Sequence, residues 1–349
     1  LPYMEFHRMP FRPKLLAVAI AALVVGATSL PPQAIAAPAV SSPAHVDLQQ
    51  ALDGLATKAR PGLIGIAVVD VGSGKRWSVH GSEPFPMMST FKAPVAATVL
   101  DLVDQGKLTL DQEVTLATSD VQDGSAVPSV GAAVKGGRTR FTVLDLLVGS
   151  VTQSDNTAVN ALIKLVGGPA VVTAKLKSAG IEGMRVDMDE VGIEEIFEQL
   201  PKGTAPPKGE TDAQENARLA RGYAAFLADP RNCTTPQAAV DFLGKLASGK
   251  LLTPSSTTLL MKLMRDVVIP RRLRAGLPNG TDFASKTGTS GSFNGHRGAY
   301  NDIGIITFPD GRRVLISALL RDSPATDAQR DALFANIGKT VYQALQAAP

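Results

Sequence analysis

The sequence predicts an α/β fold combined with an all-α block: an antiparallel sheet with flanking N- and C-terminal helices, and a helical domain inserted between its two halves. Strand-like runs occur near both ends of the chain and nearly vanish between Thr90 and about Arg265. That middle is filled by capped helical segments, and helical spacing also closes both ends of the chain. Short turns join the consecutive strands, so the strands are predicted to be antiparallel.

The elements follow in order. Residues 47–59 carry helical spacing, and after Gly62 come the β-rich run Leu63–Val71, a Gly72–Lys75 turn and Arg76–His80. The middle helices are announced by Thr142-x-x-Asp145, Thr235-Pro236 and Thr253-Pro254, each a start signal before an apolar run. Strands at 282–287, 302–308 and 313–320 follow, the last two joined by an Asp310-Gly311 turn, and a helix from about Thr326 to Ala347 closes the chain. The expected division is a discontinuous α/β domain, 37–85 with 266–349, around an all-α domain, 86–265. A seam between two such domains is where a cleft is expected.

Residues 1–36 have a different character. Basic residues up to Lys14 precede the apolar run Leu15–Leu30 and the small residues Ala34-Ile35-Ala36-Ala37. This is the pattern of a secretory signal peptide, cut after Ala36. An uncleaved anchor is the alternative, but a helix of that length reaches only about 24 Å against a hydrocarbon core of roughly 30 Å. The mature chain is therefore expected to be soluble and periplasmic or extracellular, with no membrane association after cleavage.

Composition excludes several classes. The 349 residues hold 35 Lys+Arg and 32 Asp+Glu, and setting aside Arg8, Arg12, Lys14 and Glu5 leaves 32 basic and 31 acidic groups. A balance that even gives nucleic acid no electrostatic footprint. The single cysteine, Cys233, cannot close an internal bridge, and the 4 histidines form no ligand cluster, so neither a disulfide framework nor a zinc site is expected. No metal or organic cofactor is implied.

Three short motifs carry chemistry. In Ser89-Thr90-Phe91-Lys92 a serine and a lysine stand three apart, so a helix puts them on one face. A lysine partly desolvated there can take the hydroxyl proton and activate the oxygen. A surface lysine on a capped helix is the plain alternative, weakened by the apolar residues on both sides. Ser154-Asp155-Asn156 also reads as a helix–helix turn, and Lys286-Thr287-Gly288 as a solvated edge strand. What distinguishes them is their order along almost 200 residues.

With these three motifs in that order, the chain resembles the class A serine β-lactamases of the penicillin-recognising family, from about residue 47 to 345. The resemblance implies a β-lactamase/transpeptidase-like fold, and hydrolysis of the β-lactam amide in a monomer acting on a small molecule. It also implies roles. Ser89 would be acylated, Lys92 would be its proton partner, and Ser154 would relay a proton to the lactam nitrogen. Asn156 would hold the substrate's side-chain amide. Lys286, Thr287 and Gly288 would supply the strand that binds its carboxylate, and the N–H groups of Ser89 and Thr289 would form the oxyanion hole. Glu190, in Arg185-x-Asp187-x-x-Glu190, would activate the deacylating water, although an acidic run reaching Glu198 also reads as a solvated loop. Arg272 would clamp the substrate carboxylate, although a basic helix end explains Arg271, Arg272 and Arg274 as well.

The chain departs from the family where deacylation is set. Glu194 replaces the family's water-sharing Asn, and two carboxylates there are expected to repel. Met188 and Asn232 replace the loop's Arg–Asp pair, so both partners are neutral. The loop 185–236 is enlarged by about thirty residues, and Thr211-x-x-Gln214 predicts an extra helix to about Ala228 over the cleft mouth. Pro94 is expected to disturb the nucleophile helix, and the Ser290–Tyr300 turn is longer than usual. These departures keep two other functions open: a D,D-peptidase or other serine hydrolase that deacylates slowly, and a penicillin-sensing binding domain.

Overall fold

The computed structural model describes residues 47–269 and 271–346, so the expected signal peptide, residues 1–36, lies outside the described residues. Five antiparallel strands form the main path of the central sheet, in the spatial order Arg76–Val79, Leu63–Asp70, Arg313–Ser323, His296–Thr307, Asp282–Thr289. A short sixth strand, Ser292–Phe293, pairs with His296–Arg297. The strands read as nearly continuous apolar runs because the sheet is covered on both faces.

One face packs on the chain's own ends. Ile64, Ile66, Val68 and Ile316 from the strands meet Leu52 of the helix Leu48–Thr57 and Phe334, Ile337 and Val341 of the closing helix Asp327–Gln346. Both helices begin as the sequence predicts. Asp47 accepts from the amides of Gln49 and Gln50, and Thr326 and Gln329 cap each other's backbone amides. The other face, through Val69, Ala284, Ile305 and Leu319, joins the helical block. Each large apolar side chain buried there contributes about 1.5–3 kcal/mol.

The middle is mostly helical, yet two short ribbons cross it. Glu113–Thr115 pairs with Arg140–Thr142, and Phe85–Pro86 pairs with Cys233–Thr234. Strands of two or three residues are too short for a period-2 pattern, so the sequence shows no signal for them. The second ribbon ties the segment before Ser89 to the chain returning from the enlarged loop. The helix announced by Thr142-x-x-Asp145 is α-helical over Val143–Leu147, and its last turn, Val148–Thr152, is a π-helix. The expected Ser290–Tyr300 turn is mostly a hairpin: Asn294 and Gly295 both have positive φ, as a two-residue turn of the Asn-Gly type requires. That dipeptide was a readable signal.

Candidate active site

The chain around Ser89 is constrained from three sides. Met88 to Phe91 form one 3₁₀ turn that continues into the helix Lys92–Asp104, whose first nine residues are all buried. Met88 has φ 47°, a left-handed conformation that costs free energy and is found at over-determined sites. Asn301, buried on its strand, supplies the constraint by donating Nδ2 to the carbonyls of Pro86 (2.7 Å) and Met87 (3.0 Å). Gly288 passes so close that a β-carbon there would stand 2.5 Å from the Met87 carbonyl oxygen and 3.2 Å from the Ser89 nitrogen. The glycine of the Lys-Thr-Gly strand is therefore required by the approach of strand to nucleophile. Pro94 is the third residue of this helix, which runs on past it to Asp104.

Ser154 follows the π-turn with φ 57°, and Asp155 behind it is fully buried. The Asp155 carboxylate accepts from the amides of Ala158 (2.8 Å), Val130 (2.9 Å) and Gly131 (3.2 Å), so it caps the helix Asn156–Val166 and holds a neighbouring segment. Asn156 donates Nδ2 to the Asp123 carbonyl at 2.8 Å.

The polar groups converge on Lys92. Its fully buried Nζ donates to Ser89 Oγ (3.0 Å), the Ser154 carbonyl (3.0 Å) and Asn156 Oδ1 (2.5 Å), with Ser154 Oγ at 3.4 Å. Glu190 Oε1 lies 3.0 Å from the same nitrogen. That contact pairs two buried opposite charges. Lys286 Nζ donates to Ser154 Oγ at 3.0 Å, placing one hydroxyl between two lysines. Burial pulls the Lys92 ammonium below its ordinary range, although the Glu190 charge opposes this. Burial lowers Lys286 further, helped by the positive charges of Lys92 and Arg272.

Glu190 opens the helix Glu190–Glu198, capped by Asp189, and its amide donates to Asn160 Oδ1 at 3.0 Å. Asn160 follows Asn156 by one helical turn on the same face, a spacing that could have marked it. Asn232 does the work expected of a charged pair. Its Oδ1 accepts from the amides of Asp187 (2.6 Å) and Met188 (3.0 Å), and its Nδ2 donates to the Met188 carbonyl (2.8 Å). Glu190 and Glu194 have separate partners, Glu190 facing Lys92 and the exposed Glu194 accepting from Gln122 Nε2.

A cavity of about 570 Å³ opens over this cluster, lined by Ser89, Asn156, Glu190 and Thr289, with Lys92, Ser154 and Lys286 buried in its floor. The predicted extra helix is present as Asp212–Ala228, with the Thr211–Gln214 capping box, and its Leu219 and Tyr223 line the cavity mouth. A second cavity of about 580 Å³, bounded by Asn160 and Asp189, is lined by none of Ser89, Lys92, Ser154 and Lys286. Arg272 corrects an expectation. It is buried and does not line the active-site cavity; its guanidinium donates to the Gly288 carbonyl (2.9 Å), the Asn301 carbonyl and Thr289 Oγ1 (2.5 Å), over the Tyr300 ring. With those donors spent on the protein, Arg272 supports Thr289 and the strand instead of meeting a substrate carboxylate itself.

A hydroxyl in contact with a buried lysine, below an open cavity and beside a carboxylate, defines a serine hydrolase whose base is not histidine. The model of the β-lactamase enzyme family matches residues 47–345, and the chain belongs to that family. It is 34% identical over 281 residues to the extended-spectrum β-lactamase PER-1 of Pseudomonas aeruginosa, covering 80% of this chain and 82% of that protein. It is 30% identical to a β-lactamase of Streptomyces albus G, covering 92% and 93% of the two chains. Among solved structures, a β-lactamase from Chitinophaga pinensis superposes with a TM-score of 0.72 at 30% identity, covering 85% of this chain and 98% of that one. An ancestral class A β-lactamase superposes at 0.70 with 35% identity, covering 85% and 100%.

Proposed function

We propose that the protein is a class A serine β-lactamase that opens the lactam amide by acylating Ser89 and then hydrolyses the ester. The observation that carries this reading is the single buried amine of Lys92, within 3.0 Å of both the Ser89 hydroxyl and the Glu190 carboxylate. Ser89 Oγ attacks the lactam carbonyl while its proton passes to Lys92, whose lowered pKa makes the neutral amine accessible. The C–N bond breaks as Ser154, hydrogen-bonded to Lys286, gives its proton to the leaving nitrogen and is reprotonated from the lysines. Glu190 then takes a proton from a water that attacks the ester, and a proton returns through Lys92 to Ser89 Oγ as the ester C–O bond breaks. Lys286, Thr287 and the Gly288–Thr289 segment receive the substrate carboxylate, and Asn156 its side-chain amide. The Ser89 and Thr289 amides hold the oxyanion, worth about 3 kcal/mol per donor in other serine hydrolases.

Glu190→Gln keeps the shape and removes the base, so a stable acyl-enzyme on Ser89 is expected by intact-protein mass spectrometry, with a burst but no turnover of a chromogenic cephalosporin. Unchanged turnover would remove Glu190 from the mechanism. A carboxylate 3.0 Å from the amine that contacts Ser89 supports hydrolysis over the slowly deacylating peptidase and over a sensor that stays acylated.

We further propose that residues 1–36 direct export and that the mature monomer acts in the periplasm or outside the cell, giving resistance to β-lactams. The basic, apolar and small-residue succession up to Ala36 supports this. A mature N-terminus near Ala37 in periplasmic extracts is the expected result.

A further inference from the structure

The cavity walls carry four carboxylates, and their partners differ. Glu190 is paired with Lys92 at 3.0 Å, Asp123 with Lys135 at 3.1 Å, and Glu198 with Arg218 at 3.5 Å. Glu194 has no basic group within ion-pair distance among the described residues, and its partner is the neutral Gln122 amide. Lys202, the basic group bonded next to Gln122, donates to the Val121 carbonyl at 3.1 Å, lines the second cavity and makes no ion pair with Glu194.

Gln122 adds an independent observation. It is 4% exposed, lines the same cavity, and its Oε1 is buried with no hydrogen-bond partner. Its Nε2 is turned toward Glu194, which leaves a carboxylate with a neutral partner beside an orphaned amide oxygen. An unmet buried acceptor costs free energy that a ligand donor recovers. The same cavity is lined by Tyr223 and Phe293, ring centroids 6.1 Å apart, and by Phe197. Aromatic faces suit both an aryl group and a cation.

We propose that this wall is a subsite for β-lactams whose acyl side chain pairs an aryl group with an ammonium, and that it disfavours side chains bearing a carboxylate. The proposal rests on the β-lactamase reading. The ammonium lies against Glu194 and donates to Gln122 Oε1, and the aryl group packs on Tyr223 and Phe293. An anionic side chain would meet the Glu194 charge and two acceptors, a repulsive element that sharpens selection.

The test uses three penicillins that share one nucleus and differ at the side-chain α-carbon: ampicillin (ammonium), benzylpenicillin (hydrogen) and carbenicillin (carboxylate), in a buffer that keeps the amine protonated. The wild-type kcat/KM is expected to fall in that order. Glu194→Gln should shrink the ampicillin-to-carbenicillin ratio by about tenfold, and Glu194→Lys should invert the preference, as exposed charge changes of this kind allow. Added salt should also shrink the wild-type ratio, because Glu194 is exposed. Gln122→Leu removes the orphaned oxygen and should lower the ampicillin-to-benzylpenicillin ratio, with folding checked by circular dichroism. A wild-type ratio at or below one, or ratios unmoved by either Glu194 variant, overturns the subsite. If none of the three compounds acylates Ser89 by mass, the β-lactamase reading itself fails and takes the subsite with it. Turnover of all three with unchanged ratios sinks the subsite alone.

Discussion

Asn232 clasps Met188 from both sides, accepting its amide at 3.0 Å and donating to its carbonyl at 2.8 Å. One neutral side chain thereby fixes the loop two residues before Glu190. Its φ of 49° is one that asparagine tolerates better than most residues.

Asn232→Ala should therefore strand two amides and a carbonyl. The expected cost is about 1–3 kcal/mol in urea unfolding. The kinetic effect should be specific, with deacylation slowed more than acylation in single-turnover mass measurements, because Glu190 loses its support. Equal slowing of both steps would mean that the clasp acts only on global stability.

Gly288→Ala puts a β-carbon 2.5 Å from the Met87 carbonyl and 3.0 Å from the Thr90 amide. The strand or the nucleophile turn must shift by several tenths of an ångström, and misplacement on that scale costs about a hundredfold in rate when reacting atoms must align. A loss of this size in the acylation rate of Ser89 is expected, with the circular dichroism spectrum kept. A variant acylating at the wild-type rate would show that the contact yields freely.

Asp302 is fully buried, with Oδ2 accepting from the Leu273 amide at 3.3 Å and Oδ1 unpartnered. Burial pushes its carboxyl from an ordinary value of 3.8 up to about 7, against the pull of Arg272. Between these values the folded protein holds a proton that the unfolded chain has released. Its contribution to stability is then fully present below pH 3.8 and is lost as the pH rises through about 7. Asp302→Asn stays neutral, so stability curves of variant and wild type should diverge across this window by an amount on the order of a few kcal/mol. Parallel curves would show that Asp302 does not titrate there.

Gly222 sits in the middle of the extra helix with no room for a β-carbon against the Phe197 carbonyl. Ring stacking of Phe197 on Phe226 (centroids 4.2 Å apart) and the Arg218 bond to Glu210 at 2.9 Å hold the same junction. Gly222→Ala should force the two helices apart and cost about 1–3 kcal/mol of unfolding free energy, as overpacking does. The substrate preference set by Tyr223 should loosen with it, measured as a change in kcat/KM across aryl and alkyl side chains. No change in stability would mean that the helix pair can slide without cost.

Much of this protein is determined by local sequence. The capped helices at Thr142, Thr211, Thr235 and Thr253 were legible because a cap is a contact between residues three apart, and the sheet strands because their apolar runs are long. The Ser89, Lys92, Ser154 and Lys286 cluster was legible as a set of motifs in order. What only the tertiary structure decided are relationships between distant segments: Asn301 on Met87, Asn160 under Glu190, Asn232 on Met188, and Gln122 turned to Glu194. Arg272 shows the same limit, since the family resemblance implied a carboxylate clamp where a basic helix end read as well, and burial turned its donors to the strand. A side chain's charge is fixed by its residue type, but the partner that consumes that charge is chosen by packing, and packing joins positions that no local pattern relates.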